Sequence, residues 1–146
     1  MKLIREDYDD WYYESSTKLD TGQIATIRFY NKGSHCDKKN NRDIYIICTT
    51  YAIGSGKQVS KWHDGYENNL ELSQSGKSGL KGILFALSQI KEIIALFERQ
   101  RPNDKLILEV LWTDNKRRDM YFRGLSPLGF KYNNLYGYKA LYYITK

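Results

Sequence analysis

The chain has 146 residues and a net charge of +6; 41% of its residues are hydrophobic, 27% are charged, and only 2 are proline. This balance predicts one folded domain, residues 1–146, and excludes collagen-like, low-complexity and wholly disordered proteins. No apolar run approaches the roughly 20 residues of a transmembrane helix and the charged start differs from a signal peptide, so we expect a cytoplasmic protein with no membrane partner.

The basic charge balance bears on partners. With 23 Lys and Arg residues against 17 Asp and Glu residues, the chain favours an anionic partner, such as nucleic acid, a phosphorylated ligand or an acidic protein surface. Cys36 and Cys48 lack the CxxC spacing of zinc or redox sites, which predicts two reduced thiols. With His35 and His63 as the only histidines, no metal cluster can be assembled from the spacing.

The N-terminal part predicts an aromatic segment followed by a strand. Residues 1–20 alternate acids with aromatics without a clear period, and we expect a short helix or loop that packs its aromatics on the domain. At 23–31, Ala25, Ile27 and Phe29 alternate with polar or half-polar residues, which predicts a strand with one solvent-exposed face.

The next strand is expected at 43–53, where a nearly continuous β-branched and aromatic run predicts burial on both faces. The polar residues 31–42 before it predict a long, mobile hairpin loop. The alternative is an anion contact by the basic residues of that loop, which are Lys32, Lys38, Lys39 and Arg42. Two further strands are expected at 59–62 and 66–73.

The second half predicts alternating helices and strands. Apolar residues at steps of three and four from 80 to 97 predict the main helix, which ends before Pro102. The apolar run 105–112 predicts a strand, so this helix is expected to be the crossover between two parallel neighbours. Residues 114–125 predict a shorter helix, and the tail from 130 onward predicts a strand hairpin.

The most informative stretch for chemistry is 74–82, QSGKSGLKG, at the start of the main helix. Gly76 and Gly79 allow a tight turn, and the first amides of the helix have no intrahelical acceptor. These amides favour an anion such as phosphate, to which Lys77, Ser75 and Ser78 add a charge and two hydroxyls. The alternative is that a serine only caps the helix and the glycines only turn the chain.

Two families use such a loop. Gly76 to Ser78 match the end of a Walker A loop, but Glu71 stands where its first glycine belongs, which argues against an NTPase. Residues 66–143 resemble the GNAT superfamily of N-acetyltransferases, in which a strand, a glycine-rich loop, a long helix, a strand, a shorter helix and a strand pair follow in this order. The family's loop pattern is matched in residue types by Gln74, Gly76 and Gly79, with the glycines displaced.

The resemblance continues after the predicted strand at 105–112. Asn115 matches the family's Asn at the start of the shorter helix, and Gly129 with Phe130 matches a Gly-Phe signature. In the family, a tyrosine about four residues before that glycine protonates the departing CoA thiolate. Leu125 occupies that position here, and Tyr121 lies eight residues before the glycine. The resemblance thus implies Tyr121 as the acid, at a displaced position.

The resemblance implies a GNAT-like α/β fold, with a central twisted mixed sheet, a long crossover helix and a shorter C-terminal helix. It implies acyl transfer from acetyl-CoA or another acyl-CoA to an amine of a small molecule or protein, without a metal, with the cofactor arm between two splayed parallel strands. The implied cofactor-binding residues are Gln74, Ser75, Gly76, Lys77, Ser78, Gly79 and Asn115.

The candidate general base is Glu71, on the predicted strand that leads into the glycine-rich loop, with Glu67 and Asp64 as further candidates. The alternative is that Glu71 is a solvated acid at a strand edge. Glu109 is a second candidate, because an ionisable side chain amid an apolar strand needs a partner or a shifted pKa. The alternative is that Glu109 faces solvent at the sheet edge.

A second function remains open. A catalytically silent GNAT-like protein would act as a binder through a basic, aromatic face that suits an acidic protein or nucleic acid. Small size and unusual composition are also typical of phage or mobile-element proteins, among which interaction proteins are common. The face consists of Trp112, Lys116, Arg117, Arg118, Tyr121 and Arg123.

Overall fold

The computed structural model describes residues 1–7, 9–57, 59, 79–111 and 115–145, and of residues 79, 80 and 115–117 it describes the backbone alone. These residues form a mixed α/β fold, as predicted. The strands are β1 (Lys2–Arg5), β2 (Trp11–Lys18), β3 (Ile24–Asp37), β4 (Arg42–Gly54), β5 (Lys105–Val110), β6 (Lys131–Asn133) and β7 (Ala140–Ile144). The helices are α1 (Gly79–Gln100) and α2 (Asn115–Leu125).

The seven strands form one mixed sheet in the order β1-β2-β3-β4-β5-β7-β6. Among the described strands, β4 and β5 are the one parallel pair, and every other pair of neighbours is antiparallel. A parallel pair needs a long crossover, and α1 lies in the connection between β4 and β5. The prediction that the main helix links parallel neighbours, and ends before Pro102, is therefore confirmed.

The core lies between one face of the sheet and the two helices. Side chains that alternate along β3, β5 and β7 point to this face and contact the apolar stripe of α1. Complete burial of a leucine, isoleucine or phenylalanine side chain contributes roughly 1.5–3 kcal/mol to the free energy of unfolding. The fully enclosed members include Ile27, Phe29, Leu106, Leu108 and Leu141. Within the described residues, no helix combines the length and apolarity that spanning a membrane requires.

The expected helix or loop at residues 1–20 is wrong, because β1 and β2 form an antiparallel hairpin there. Tyr12 lies on one face, with its ring centroid 4.9 Å from that of Tyr30 on β3, while Trp11 and Tyr13 pack on the core from the other face. The acids fall in the turn, where the Glu6 N–H donates to the Asp10 carbonyl at 2.9 Å. These turn acids hide the strand period in the sequence.

The expected long loop at 31–42 is also wrong. β3 runs to Asp37 and β4 starts at Arg42, so only residues 38–41 turn the chain. The register of the two strands shifts between Asn31 and Gly33, where Gly33 has a φ of 148°. Polar residues suit this part of the hairpin, since much of it is exposed and no face has to be apolar. For the same reason β4 is buried on both faces only near its C-terminal end, at Ala52 and Ile53.

The segment after β4 agrees only in part with its prediction. Val59, expected in a strand, is helical, and its N–H donates to the Ser55 carbonyl at 3.0 Å. Gly54 is the last residue of β4, and the chain is helical from Gly56. The rest of that expected strand, and the whole expected strand at 66–73, lie outside the described residues.

The C-terminal predictions are confirmed. The shorter helix is α2, which ends in a 3-10 turn, Ser126–Leu128, and Gly129 follows with a φ of 104°. β6 and β7 then form the predicted antiparallel hairpin, and β7 also pairs with β5. Phe130, just after the turn, is buried at 1% exposure.

The left-handed backbone at Gly129 makes this position sensitive to a side chain. We expect Gly129→Ala to lower the free energy of unfolding by about 1–3 kcal/mol, since an alanine rarely adopts this backbone conformation. Urea denaturation measures the loss. Gly56→Ala is the matched control: its φ is not positive and its added Cβ would meet Ile24 Cδ1 at an ordinary 3.6 Å. Equal stability of Gly129→Ala and the wild type would contradict the expectation.

Candidate functional site

The candidate site lies where β4 runs on past the end of β5. The ladder between β4 and β5 ends at the pair Thr49 and Val110, which is the last residue of β5, whereas β4 continues to Gly54 as a partner of β3. At the other end of the pair, the Asp43 N–H at the start of β4 donates to Asp104 Oδ1 at 3.0 Å. The last residues of β4 therefore extend beyond the parallel ladder.

A cavity of about 280 Å³ opens at the end of β5, on the face of the sheet that carries the helices. Its walls come from the ends of β4 and β5, from the first half of α1 and from α2. Most of the lining is apolar, which suits an extended organic chain better than a charged group. Residues that line it include Thr49, Tyr51, Ala86, Val110, Met120 and Tyr121.

Two glycines let the walls of the cavity approach one another. A Cβ on Gly82 would collide with Tyr51 Oη and lie 2.9 Å from Ile53 Cδ1, so a side chain at this position would have to displace them where α1 passes β4. A Cβ on Gly124 would lie 3.1 Å from both methyl groups of Leu87, which brings α2 against α1. Glycine inside a helix costs about 1 kcal/mol relative to alanine, and this close packing is its physical reason here.

Thr49 supplies the polar group of interest in the cavity. Its residue is 4% exposed, and its Oγ1 is buried with no hydrogen-bond partner among the described residues. A buried hydroxyl without a partner costs about 1–3 kcal/mol. A ligand amide or carbonyl in the cavity would satisfy this hydroxyl. No prediction from the sequence includes Thr49, although a threonine pair within an otherwise apolar strand is the signal that marks it.

The structure places three of the predicted site residues. Tyr121 lies half-buried on the cavity wall, Gly79 is the first residue of α1, and Asn115 is the first residue of α2. The first turn of α1 contains no acidic residue of its own, and its Lys81 pairs with Asp20. The other predicted residues, Glu71, Gln74, Ser75, Gly76, Lys77 and Ser78, lie outside the described residues, as do Asp64 and Glu67.

The predicted basic, aromatic face is described only in part. Arg118 pairs with the adjacent Asp119 at 3.1 Å. Phe122 stacks on Tyr132 of β6, with ring centroids 4.8 Å apart and planes 12° from parallel. Both rings are more than one-third exposed. Trp112 and the side chains at 116 and 117 lie outside the described residues.

Glu109 is buried on the opposite face of the sheet, so the solvent-exposed alternative is wrong. Its side chain has no exposure and accepts hydrogen bonds from Tyr138 Oη at 2.7 Å, Tyr142 Oη at 2.8 Å and Lys32 Nζ at 3.2 Å. These partners are those that a carboxylate in an apolar strand needs. Burial and the hydrogen bond to Glu109 raise the pKa of Tyr142, which keeps this hydroxyl a donor.

Sequence reasoning missed the partners of Glu109. Lys32 was expected in a loop, whereas it lies on β3, next to the register shift. Tyr138, Ala140 and Tyr142 alternate along the C-terminal strand region, and this period of two is the signal that places both tyrosines on one face. What the sequence did not indicate is that β7 lies directly beside β5.

No group of three or more His, Cys, Asp or Glu side chains in the described part of the chain is arranged to hold a metal ion. No family model matches the chain, and no curated protein or solved structure matches it significantly. Function is therefore argued from the geometry of the cavity and of the Glu109 cluster.

The unpartnered hydroxyl of Thr49 has a measurable cost. We expect Thr49→Val, which keeps the side-chain shape, to raise the free energy of unfolding of the ligand-free protein by about 1 kcal/mol. Thr26→Val is the matched control: Thr26 is equally buried at 4%, but its Oγ1 bonds Ser16 Oγ at 2.8 Å, so its replacement should destabilise. Urea denaturation compares the two. A destabilised Thr49→Val would mean that this hydroxyl already has a partner.

The environment of Cys48 predicts a loss of stability in alkali. Burial and the adjacent Glu109 carboxylate raise the pKa of the Cys48 thiol from 9.0 to about 12. The folded state thus holds this proton more tightly than the unfolded chain. The thiol's contribution to the free energy of unfolding is therefore complete below pH 9.0 and is lost as the pH rises toward 12. We expect unfolding free energies measured across this range to fall less steeply for Cys48→Ala than for the wild type. Cys36→Ala, at an exposed position, should keep the wild-type slope.

Proposed function

We propose that the chain is a GNAT-like N-acyltransferase that transfers an acyl group from acetyl-CoA or another acyl-CoA to an amine. The observation that carries the proposal is the cavity at the end of β5, walled by both helices. The described elements α1, β5, α2, β6 and β7 also follow in the order that the family resemblance implies, and its first strand, expected at 66–73, lies outside the described residues. Fold alone does not settle function, so the site carries the proposal.

The cavity suits the acylated arm of the cofactor. That arm is a narrow, extended chain with two amides and a thioester, and the cavity offers a mostly apolar channel with the Thr49 hydroxyl in its wall. Thr49 Oγ1 would donate to an amide or thioester carbonyl of the arm. The diphosphate would lie at the start of α1, where the first backbone amides have no intrahelical acceptor and the first turn contains no acidic residue of its own.

Tyr121 fits the role of the acid. In the transfer, the amine nitrogen attacks the thioester carbonyl, the carbon–sulfur bond breaks, and the CoA thiolate takes up a proton. Tyr121 lies on the cavity wall contributed by α2, which is the side from which this proton would come. The residue that removes the amine proton is proposed to be Glu71. Most of the acceleration would come from positioning the amine against the thioester.

A second candidate function is that of a nucleic-acid binder. The stacked and exposed rings of Phe122 and Tyr132 favour it, since bases stack on such rings, and Arg123 and Lys131 adjoin them in sequence. The two candidate functions differ in how strongly ligand binding should depend on salt. Binding of a single-stranded nucleic acid that weakens steeply with salt, without any effect of CoA, would favour the binder.

Acyl-CoA binding is tested by blocking the cavity. Acetyl-CoA at millimolar concentration should raise the melting temperature of the wild type, because it binds the folded state alone. Ala86→Trp fills the cavity and should abolish the rise. Leu84→Trp is the matched control, since Leu84 lies on the same helix but is 57% exposed and does not line the cavity. A wild type whose melting temperature does not respond to acetyl-CoA would contradict the proposal.

A variant at Tyr121 separates binding of acetyl-CoA from catalytic turnover. Tyr121→Phe keeps the ring and removes the hydroxyl, so acetyl-CoA should still raise the melting temperature. Release of free CoA in the presence of a panel of amines should fall by about 10²–10⁴, the usual contribution of a general acid. Unchanged CoA release would remove Tyr121 from the mechanism without affecting the binding result.

A further inference from the structure

The Glu109 cluster divides its hydrogen bonds between the two carboxylate oxygens. Oε2 accepts from both tyrosines, Tyr138 and Tyr142, at 2.7 and 2.8 Å. Oε1 accepts from Lys32 Nζ at 3.2 Å. The tyrosines lie on β7 and the segment before it, beside β5, and they hold the carboxylate in place. One oxygen of a fully buried carboxylate is thus presented to a cation.

Tyrosine rings complete the enclosure around that cation. Lys32 Nζ lies 4.9 Å from the ring centroid of Tyr138 and 5.5 Å from that of Tyr136, within the range of cation–π attraction. Tyr136 in turn packs edge-on to Tyr142, with centroids 6.1 Å apart. We call Glu109, Tyr136, Tyr138 and Tyr142 the ammonium cage.

Lys32 differs from the cage residues in origin and burial. It comes from β3, and its side chain crosses β4 to reach Glu109 on β5. Its side chain is 40% exposed, whereas that of Glu109 is fully buried. The cage residues all come from β5 and the C-terminal hairpin, so they do not depend on Lys32 for their backbone positions. Lys32 therefore reaches the cage from its rim, with part of its side chain in solvent.

The cage selects for a cation with N–H donors. A carboxylate oxygen and two ring faces attract positive charge, and Oε1 needs a donor to satisfy it. Burial disfavours the charged form of Lys32, but hydrogen bonds to Tyr138 and Glu109 outweigh this and raise the pKa of Lys32. The cage therefore stabilises an ammonium group on a flexible alkyl chain, which is what Lys32 presents to it.

We infer that the ammonium cage is a binding site for a primary alkylammonium group, such as the end of a lysine side chain or of a linear amine, and that Lys32 is its tethered internal occupant. The site goes beyond the proposed acyl transfer and does not require acyl-CoA. Because Lys32 is attached to the chain, its effective concentration is in the millimolar range or above, so a free amine has to compete with it.

The first test removes the occupant. Lys32→Ala should bind n-butylammonium, detected by titration calorimetry, whereas n-butanol of similar shape but without charge should not bind. Lys32→Ala/Glu109→Gln should lose this binding. Where that double variant does not fold, Lys32→Ala/Tyr138→Phe, which keeps the ring but not the hydroxyl, should bind more weakly than Lys32→Ala. Failure of Lys32→Ala to bind n-butylammonium would overturn the inference.

The second test uses the wild type, because binding in a vacated space alone would not show that the occupant exchanges. With ¹³C-labelled lysine, the ε-methylene signal of Lys32 should shift saturably as n-butylammonium is added, toward the position typical of a solvent-exposed lysine. Lys81, an exposed lysine paired with Asp20, is the internal control and should not shift. A Lys32 signal that stays fixed at concentrations well above those that saturate Lys32→Ala would make Lys32 a permanent structural cation and overturn the inference.

These outcomes are independent of the proposed function. Neither titration contains CoA, so loss of acetyl-CoA binding in the earlier experiment would leave the amine result standing. Conversely, if n-butylammonium does not displace Lys32 from the cage, the proposal for the cavity at the end of β5 is unaffected.

Discussion

The incomplete ladder between β4 and β5 is the constraint on which the rest of the site depends. Parallel strands have to be joined by a crossover, which places α1 over the sheet, and the end of β5 lets α2 lie beside α1. Had the two strands paired along the whole length of β4, backbone would occupy the place of the cavity. The glycine at 82 then lets α1 approach β4 closely, and the glycine at 124 lets α2 approach α1.

The sheet divides the molecule into two chemically different faces. The helix-covered face holds the apolar core and the cavity with the Thr49 hydroxyl. The other face carries polar and aromatic clusters, which include Glu109 with its tyrosines and Arg28 with Glu14, joined at 2.6 Å. The pair Cys48 and Glu109 directly precedes Thr49 and Val110 in the ladder. The cage and the cavity therefore lie on opposite faces of almost the same point of the sheet.

The sequence predicted the regular elements of the second half well, because each has one clear pattern. In α1 apolar residues recur every three to four positions, and β5 is a continuous apolar run. The prediction failed where the period was masked. The acids of the first turn hid the hairpin of β1 and β2, and the polar tip of β3 and β4 has no buried face that would mark it as strand. Both segments become strands because a neighbouring strand offers backbone partners, which no local pattern reveals.

The sequence singled out Tyr121 through the resemblance and Glu109 through its apolar neighbours, and the structure places Tyr121 on the cavity wall and Glu109 among hydrogen-bond donors on the opposite face. Sequence reasoning did not find Thr49, whose significance depends on where the β4–β5 ladder ends, nor Lys32, Tyr138 and Tyr142, which meet Glu109 only through the order of strands in the sheet. Residues far apart in the chain, 32 and 109 among them, come together by topology, and topology is not encoded in any single stretch.

The hydrogen bond from Asp43 to Asp104 anchors the start of the parallel pair. From there all six residues of β5 pair with β4, and four of them also pair with β7 on the other side. Outward movement of β5 would break this ladder, so the strand forms a rigid wall of the cavity. A guest larger than the cavity would therefore be accommodated by shifts of α1 and α2, which pack on the sheet through side chains.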